Sequence, residues 1–156
     1  MELVTYCGLY CGLCAERTRI PQAARALQAA MAEEGWPSWG PTMPGFNEFW
    51  TFLDGLGSGE GCPGCRAGGG YPECQIRVCA RERGLELCAR CPDLPCEHIE
   101  TLAAAYPILI ADNRRLQAVG LAQWLLEQQE RARRGVVYAD IRHRSYDQET
   151  DAHEPI

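Results

Sequence analysis

The sequence predicts a mainly α fold: a small, irregular, cysteine-rich, metal-stapled domain with several helices and few or no strands. Three observations lead there. Apolar residues recur at three-and-four spacing in four separate stretches. Ten cysteines fall between positions 7 and 96 of the 156 residues. Sixteen glycines and ten prolines break up the chain around them. This length suffices to bury one core, so a single domain is expected over residues 1–142, with a flexible tail over 143–156.

The elements follow in order. In "IPQAARALQAAMAEEG", Pro21 suits a first helical turn, Ala24, Leu27, Ala30 and Met31 keep helical rhythm, and Gly35 stops it. "WPSWGPTMPG" reads as a turn-rich connector. "FNEFWTFLDGLG" predicts a short amphipathic helix with Phe46, Phe49, Trp50 and Leu53 on its core side. Residues 62–96 are turns and cysteines, relieved by a turn or two of helix at "QIRVCARERG". A helix beginning near Pro95 runs through "CEHIETLAAAY" until Pro107. A long helix is expected over 112–134, carrying Leu116, Val119, Leu121, Trp124, Leu125 and Gln128 on one stripe. Arg131, Arg133 and Arg134 then suit its dipole, and Gly135 its end. "VVYADIRHRSY" predicts one short strand.

Composition excludes several functions. Net charge is −6 at pH 7, the wrong sign for broad nucleic-acid binding. No stretch approaches the ~20 apolar residues of a membrane span. The opening "MELVTYCGLY" is not a secretory signal, which predicts a cytoplasmic chain whose thiols stay reduced. All fifteen basic residues are arginine. Lysine chemistry is therefore absent: no Schiff base, no lysine general base and no phosphate-loop lysine. "GGG" at 68–70 is a turn. No catalytic motif or carboxylate pair stands out, so the reading leans away from an enzyme.

The cysteines carry the functional signal. Cys7, Cys11 and Cys14 stand at C-x3-C-x2-C spacing, one ligand short of a tetrahedral site. Cys62, Cys65, Cys74, Cys79, Cys88, Cys91 and Cys96 follow as C-x2-C-x8-C-x4-C-x8-C-x2-C-x4-C. Two C-x2-C knuckles some twenty residues apart match a four-cysteine zinc site, each turn letting two sulfurs reach one ion at ~2.3 Å. One partition gives Cys62, Cys65, Cys88 and Cys91 to one ion. The N-terminal three then borrow Cys74, Cys79 or Cys96, stapling the chain's start to its middle. Cys79 and Cys96 are expected at helix starts, where the dipole favours a thiolate. Arg66, Arg77, Arg81, Arg83 and Arg90 are candidates to neighbour the anionic sulfurs. His98 is an additional candidate ligand; His143 and His153 read as solvated. Zinc, as two ions, is the expected cofactor, with an iron–sulfur cluster as the alternative. Radical-SAM enzymes share the first spacing but need a much longer barrel.

"YCGLYCGLC", "CPGC" and "CQIRVCARERGLELCARCPDLPC" resemble a family of small cysteine-rich prokaryotic proteins, Domain of Unknown Function family thirty-seven ninety-five. Its pattern is CGLxCxxC, then CxGC, then C-x-IR-x-CA, C-x2-C and a PC pair opening a helix. All ten cysteines fall on it, and the likeness extends over about residues 4–135. The resemblance implies metal binding, with zinc foremost, and a ligand role for these cysteines; it implies no catalytic residue. The expected function is a zinc-binding interaction module for an unidentified protein or small molecule. The alternatives are an iron–sulfur redox protein and, behind it, a metalloenzyme with an open zinc position.

Overall fold

The computed structural model describes residues 2–59 and 61–141. It contains seven α-helices and four 3-10 turns, with no strand among the described residues. The helices are α1 (Arg19–Glu33), α2 (Trp36–Trp39), α3 (Phe46–Ser58), α4 (Gln75–Glu82), α5 (Glu97–Ala105), α6 (Ile108–Arg133) and α7 (Tyr138–Ile141). No helix among them is long and apolar enough to cross a membrane. The chain divides into two compact units: Met1–Leu13 with Pro63–Ile156, and Cys14–Cys62 between them. The second unit is thus an insertion within the first.

The inserted unit is a helical hairpin. Arg25 donates to the Gly57 carbonyl at 2.6 Å and Gln28 to Asp54 at 3.3 Å. Those two pairs step in opposite senses, so α1 and α3 run antiparallel. Pro21 and Ala24 are buried on α1, and Phe46, Leu53 and Gly57 on α3. The connector is more ordered than its turn-rich composition predicts. It forms α2, and Trp36, Phe46 and Trp50 stack with centroids 6.2 and 5.5 Å apart. Phe49 departs from expectation, being 42% exposed. It sits beside the Phe46–Leu53–Gly57 line that α1 covers, one sixth of a turn too far round.

The larger unit has two apolar clusters. One gathers Val4, Tyr10, Leu13, Leu87, Ile108, Leu116 and Trp124. The other gathers Cys7, Ile76, Ala80, Cys88, Ile99, Ala103 and Leu109. The first residues form a tight loop closed by an isolated bridge between Val4 and Tyr10. At its tip Gly8 has φ +93°, and a side chain there would meet the Asn113 amide at 2.7 Å. Glycine is required on both grounds.

The expected long helix is present but bent. Gly120 takes φ 79° and ψ 163°, which breaks α6. Arg131 donates to Asp112 at 2.9 Å, both side chains being buried. Nineteen residues of straight helix would span about 28 Å, so the arms 108–119 and 121–133 must fold back on each other. Arg115 to Glu127, at 2.6 Å, makes the same link nearer the turn. Arg131 therefore serves the core, bonding Gln128 as well, while Arg133 pairs with Glu130 at the surface. The expected strand is replaced over its described part by α7, where the Asp140 carboxylate accepts from the Val137 N–H at 3.0 Å. Tyr138 turns inward and accepts from the Tyr10 N–H at 2.7 Å. Residues 143–156, with His143 and His153, lie outside the described residues, as does the remainder of that run.

Two glycines in helices should respond oppositely to alanine. Gly120→Ala places a Cβ at positive φ and should cost about 1–2 kcal/mol. Gly55→Ala, helical and with open space around it, should gain about 0.5–1 kcal/mol. Urea unfolding of the two variants checks both signs.

Candidate metal centre

The ten cysteines are free of disulfides. Cys79, Cys88, Cys91 and Cys96 line one small cavity of about 20 Å³, walled by Ile76, Ala80, Leu85 and Leu94. Cys79 comes from α4, Cys88 and Cys91 from the turn over Cys88–Arg90 and its end, and Cys96 from the cap of α5. The knuckle Cys88/Cys91 thus meets the two cysteines that flank it in sequence, a grouping different from the partition with Cys62 and Cys65. His98 is on the same lining. The thiol chemistry suits a soft or borderline ion. Among the described residues, however, no three Cys, His, Asp or Glu side chains are drawn together closely enough to grip one. The sulfurs line the wall without closing on a common point.

Helix ends place some of these sulfurs. Cys96 caps α5 and Cys74 caps α4. Cys79, expected at a helix start, lies instead inside α4. The helix begins earlier because Ile76 and Arg77 already wind onto the core, both being buried.

Cys7 belongs to the adjoining apolar cluster together with Cys88. Burial first, and then the nearby Cys65 and Cys74 sulfurs, push its thiol up to about 11, against opposing hydrogen bonds from Thr5 and Leu9. The Thr5 hydroxyl lies 3.0 Å from Cys7 Sγ. Burial, followed by the Cys7, Cys96, Cys91 and Cys79 sulfurs, pushes the Cys88 thiol up to about 12. Without a cation these groups stay neutral thiols. Releasing their protons requires positive charge nearby, which a bound metal would supply.

The arginines divide by role. Arg83 alone donates to a sulfur among the five proposed, Nη1 to Cys91 Sγ at 3.2 Å, and it also bonds Asp93 at 2.7 Å. Arg77 is buried and donates to the carbonyls of Gly69, Tyr71 and Pro72 at 2.7, 3.0 and 2.7 Å. It shapes the loop between Cys65 and Cys74. Arg66 donates to Val4 O at 2.8 Å and Glu86 O at 2.7 Å. Its guanidinium sits 4.7 Å from the Tyr6 ring centre, with Arg81 at 5.9 Å. Arg90 pairs with Glu86 on the surface, where ion pairs contribute little.

Two supporting residues escaped the sequence reading. Asn113 donates to Cys7 O and Leu109 O, both at 2.8 Å. Its signal was a polar residue on the Leu109–Leu116 stripe. Thr5 offered none, since a threonine two residues before a cysteine has many roles.

An all-helical, cysteine-rich unit with a four-thiol cavity defines the class. Residues 3–101 match the family described as "Protein of unknown function (DUF3795)". The chain belongs to this family, as the cysteine register anticipates. Comparison with curated proteins and with solved structures returns no match.

Two outcomes are expected. Arg77→Met removes three bonds from a charged donor, worth about 1.5–3 kcal/mol each when buried. Tyr71 and Pro72 are exposed residues, where water can replace part of what is lost, so the net loss in thermal or urea unfolding should be nearer about 2 kcal/mol. The metal-free protein should also weaken in alkali. Folded Cys7 and Cys88 hold protons up to about 11 and about 12, whereas unfolded thiols release them near 8.5. Stability is therefore full below about pH 8.5 and falls above it by up to about 1.4 kcal/mol per pH unit for each group. Unfolding between pH 8 and 11 in chelator reads this slope.

Proposed function

We propose that the larger unit is a structural zinc-binding module, with Cys79, Cys88, Cys91 and Cys96 as one four-thiol set. The observation that carries this reading is their shared cavity. At about 20 Å³ it exceeds the ~10–15 Å³ that admits one water-sized occupant, and falls far below the ~300–1,000 Å³ of small-molecule sites. A single ion fits a cavity of that size. A multi-iron cluster is bulkier and would have to force the walls apart. Bound zinc would compensate the charge of four thiolates that burial otherwise disfavours. Arg83, already on Cys91, would offset the remaining negative charge of a four-thiolate site.

A second ion would draw on Cys7, Cys65 and Cys74, the latter two near enough to Cys7 to raise its thiol, with its fourth ligand unassigned. These two sets leave Cys11, Cys14 and Cys62 unassigned. A cavity filled by one ion with four sulfurs has no open coordination position, which favours a binding or interaction role over catalysis. Free thiols in C-x2-C knuckles also suit the reducing cytoplasm.

Elemental analysis of the protein purified without added metal is the test. The expected result is a colourless preparation with two zinc ions per chain and Zn–S distances near ~2.3 Å by X-ray absorption. Cys91→Ala and Cys96→Ala should each remove one ion, and chelation should unfold the larger unit. A brown preparation absorbing in the visible, or a fully folded chelated protein, overturns the reading.

A further inference from the structure

The two arms of α6 enclose a groove of about 850 Å³. Each arm turns one stripe to the core: Leu109, Asp112 and Leu116 on the first, Trp124, Gln128 and Arg131 on the second. A further stripe on each borders the groove, Ala111, Arg115 and Ala118 on one arm and Gln123, Glu127 and Glu130 on the other. Both stripes keep three-and-four spacing, so each is a single helix face. Arg115 and Glu127 link the arms at 2.6 Å, while the short side chains of Ala111 and Ala118 leave room between them. The volume lies within the ~300–1,000 Å³ of small-molecule sites.

The groove is positive in a negative chain. Residues 111–134 carry five arginines against three carboxylates, whereas the whole chain carries a net −6. Those carboxylates are already engaged. Arg131 bonds Asp112 at 2.9 Å. Arg115 grips both oxygens of Glu127, at 3.0 and 2.6 Å. Arg133 grips both oxygens of Glu130, at 2.8 and 2.7 Å. The two charges in excess therefore reside on Arg114 and Arg134, and both residues line the groove. Arg114 has no hydrogen bond or ion pair among the described residues. Arg134 approaches only Glu130, at 3.9 Å, a carboxylate that Arg133 already holds. In the same lining Leu126 is 61% exposed, a large apolar side chain that no element covers.

We propose that this groove binds a small amphiphilic anion, with a carboxylate or phosphate head on Arg114 and Arg134. A short hydrocarbon body lies against Ala111, Ala118 and Leu126. The planar guanidinium fork matches either head through parallel hydrogen bonds, and Arg114 has its donors free for one. Other ligand classes fit less well. A cation meets carboxylates whose oxygens are already taken. A nucleobase finds no ring to stack on, since no aromatic residue lines the groove. A polyanion such as nucleic acid needs more than two excess charges, and meets an acidic chain beyond them. No cysteine borders the groove, so the site is separate from the proposed ions and stands or falls without them.

Titration of the full chain in reducing buffer tests this, by calorimetry and by amide NMR shifts. The probes are hexanoate, hexyl phosphate, hexanol and inorganic phosphate. At least one of the two amphiphilic anions should bind one-to-one with a dissociation constant below about 1 mM, shifting amides of residues 111–134. The tighter of the two names the head. Hexanol lacks the charge and inorganic phosphate the apolar body, so each should bind at least about tenfold more weakly. Arg114→Gln and Arg134→Gln should each weaken the anion about tenfold, and Leu126→Ser about threefold. Helical circular dichroism and metal content should stay unchanged, because all three side chains are exposed. The absence of saturable binding by either anion up to about 10 mM overturns the proposal. So does hexanol binding as tightly as hexanoate and hexyl phosphate, or binding that both arginine variants leave intact.

Discussion

Cys88 donates its backbone N–H to the Tyr6 carbonyl at 2.8 Å, and the larger unit is organised around that bond. Three others reinforce it: Arg66 to Val4 O, Asn113 to Cys7 O, and the Tyr10 N–H to the Tyr138 hydroxyl. Seven residues at the start of the chain are thereby tied to four distant places. A buried segment with no sheet or helix to pair its backbone must find such partners or forfeit several kcal/mol. Val4 and Tyr10 wall one apolar cluster and Cys7 the other, so both cores depend on where this loop lies. The staple between the chain's start and its middle is in place through backbone chemistry, and any ion adds to it.

The helices were largely legible because each announces itself locally. Pro21 and Gly35 bracket α1, and the Pro107 break separates α5 from α6. The bend at Gly120 was not legible. Leu116, Val119, Leu121, Trp124 and Gln128 keep one rhythm straight across it, and the break resides in the dihedrals of one residue. A hint lay in Asp112 and Arg131, opposite charges far apart on an apolar helix, which signal arms that meet. The aromatic stripe failed for a related reason. Periodicity identifies the apolar side of a helix, but only the neighbour decides that Phe46 is covered and Phe49 bare.

The cysteine register shows the same limit. Spacing identifies knuckles, and the family match over 3–101 agrees with it. Spacing cannot say which knuckle meets which cysteine, because that depends on where α4 begins and how α5 is capped. Cys79 and Cys96 reach Cys88 and Cys91 through the packing of Ile76, Ala80 and Ile99. Similarly, five arginines near the sulfurs look alike in sequence, yet only Arg83 turns to a sulfur. Arg77 is spent on the 69–72 carbonyls, and Arg66 on Val4 and Glu86.

The discontinuity of the larger unit imposes an order on synthesis. Its first thirteen residues leave the ribosome long before Arg66, Cys88 or Asn113 exist to receive them. The hairpin over residues 14–62 carries the Arg25–Gly57 and Gln28–Asp54 bonds within itself and can form in the meantime, its base closed by Arg17 on the Cys62 carbonyl. The early hairpin brings the flanking ends of the chain near one another, shortening the loop the opening segment must close when the remainder arrives. Early formation of the insertion is thus a kinetic aid to a unit that cannot begin to assemble until its last third is translated.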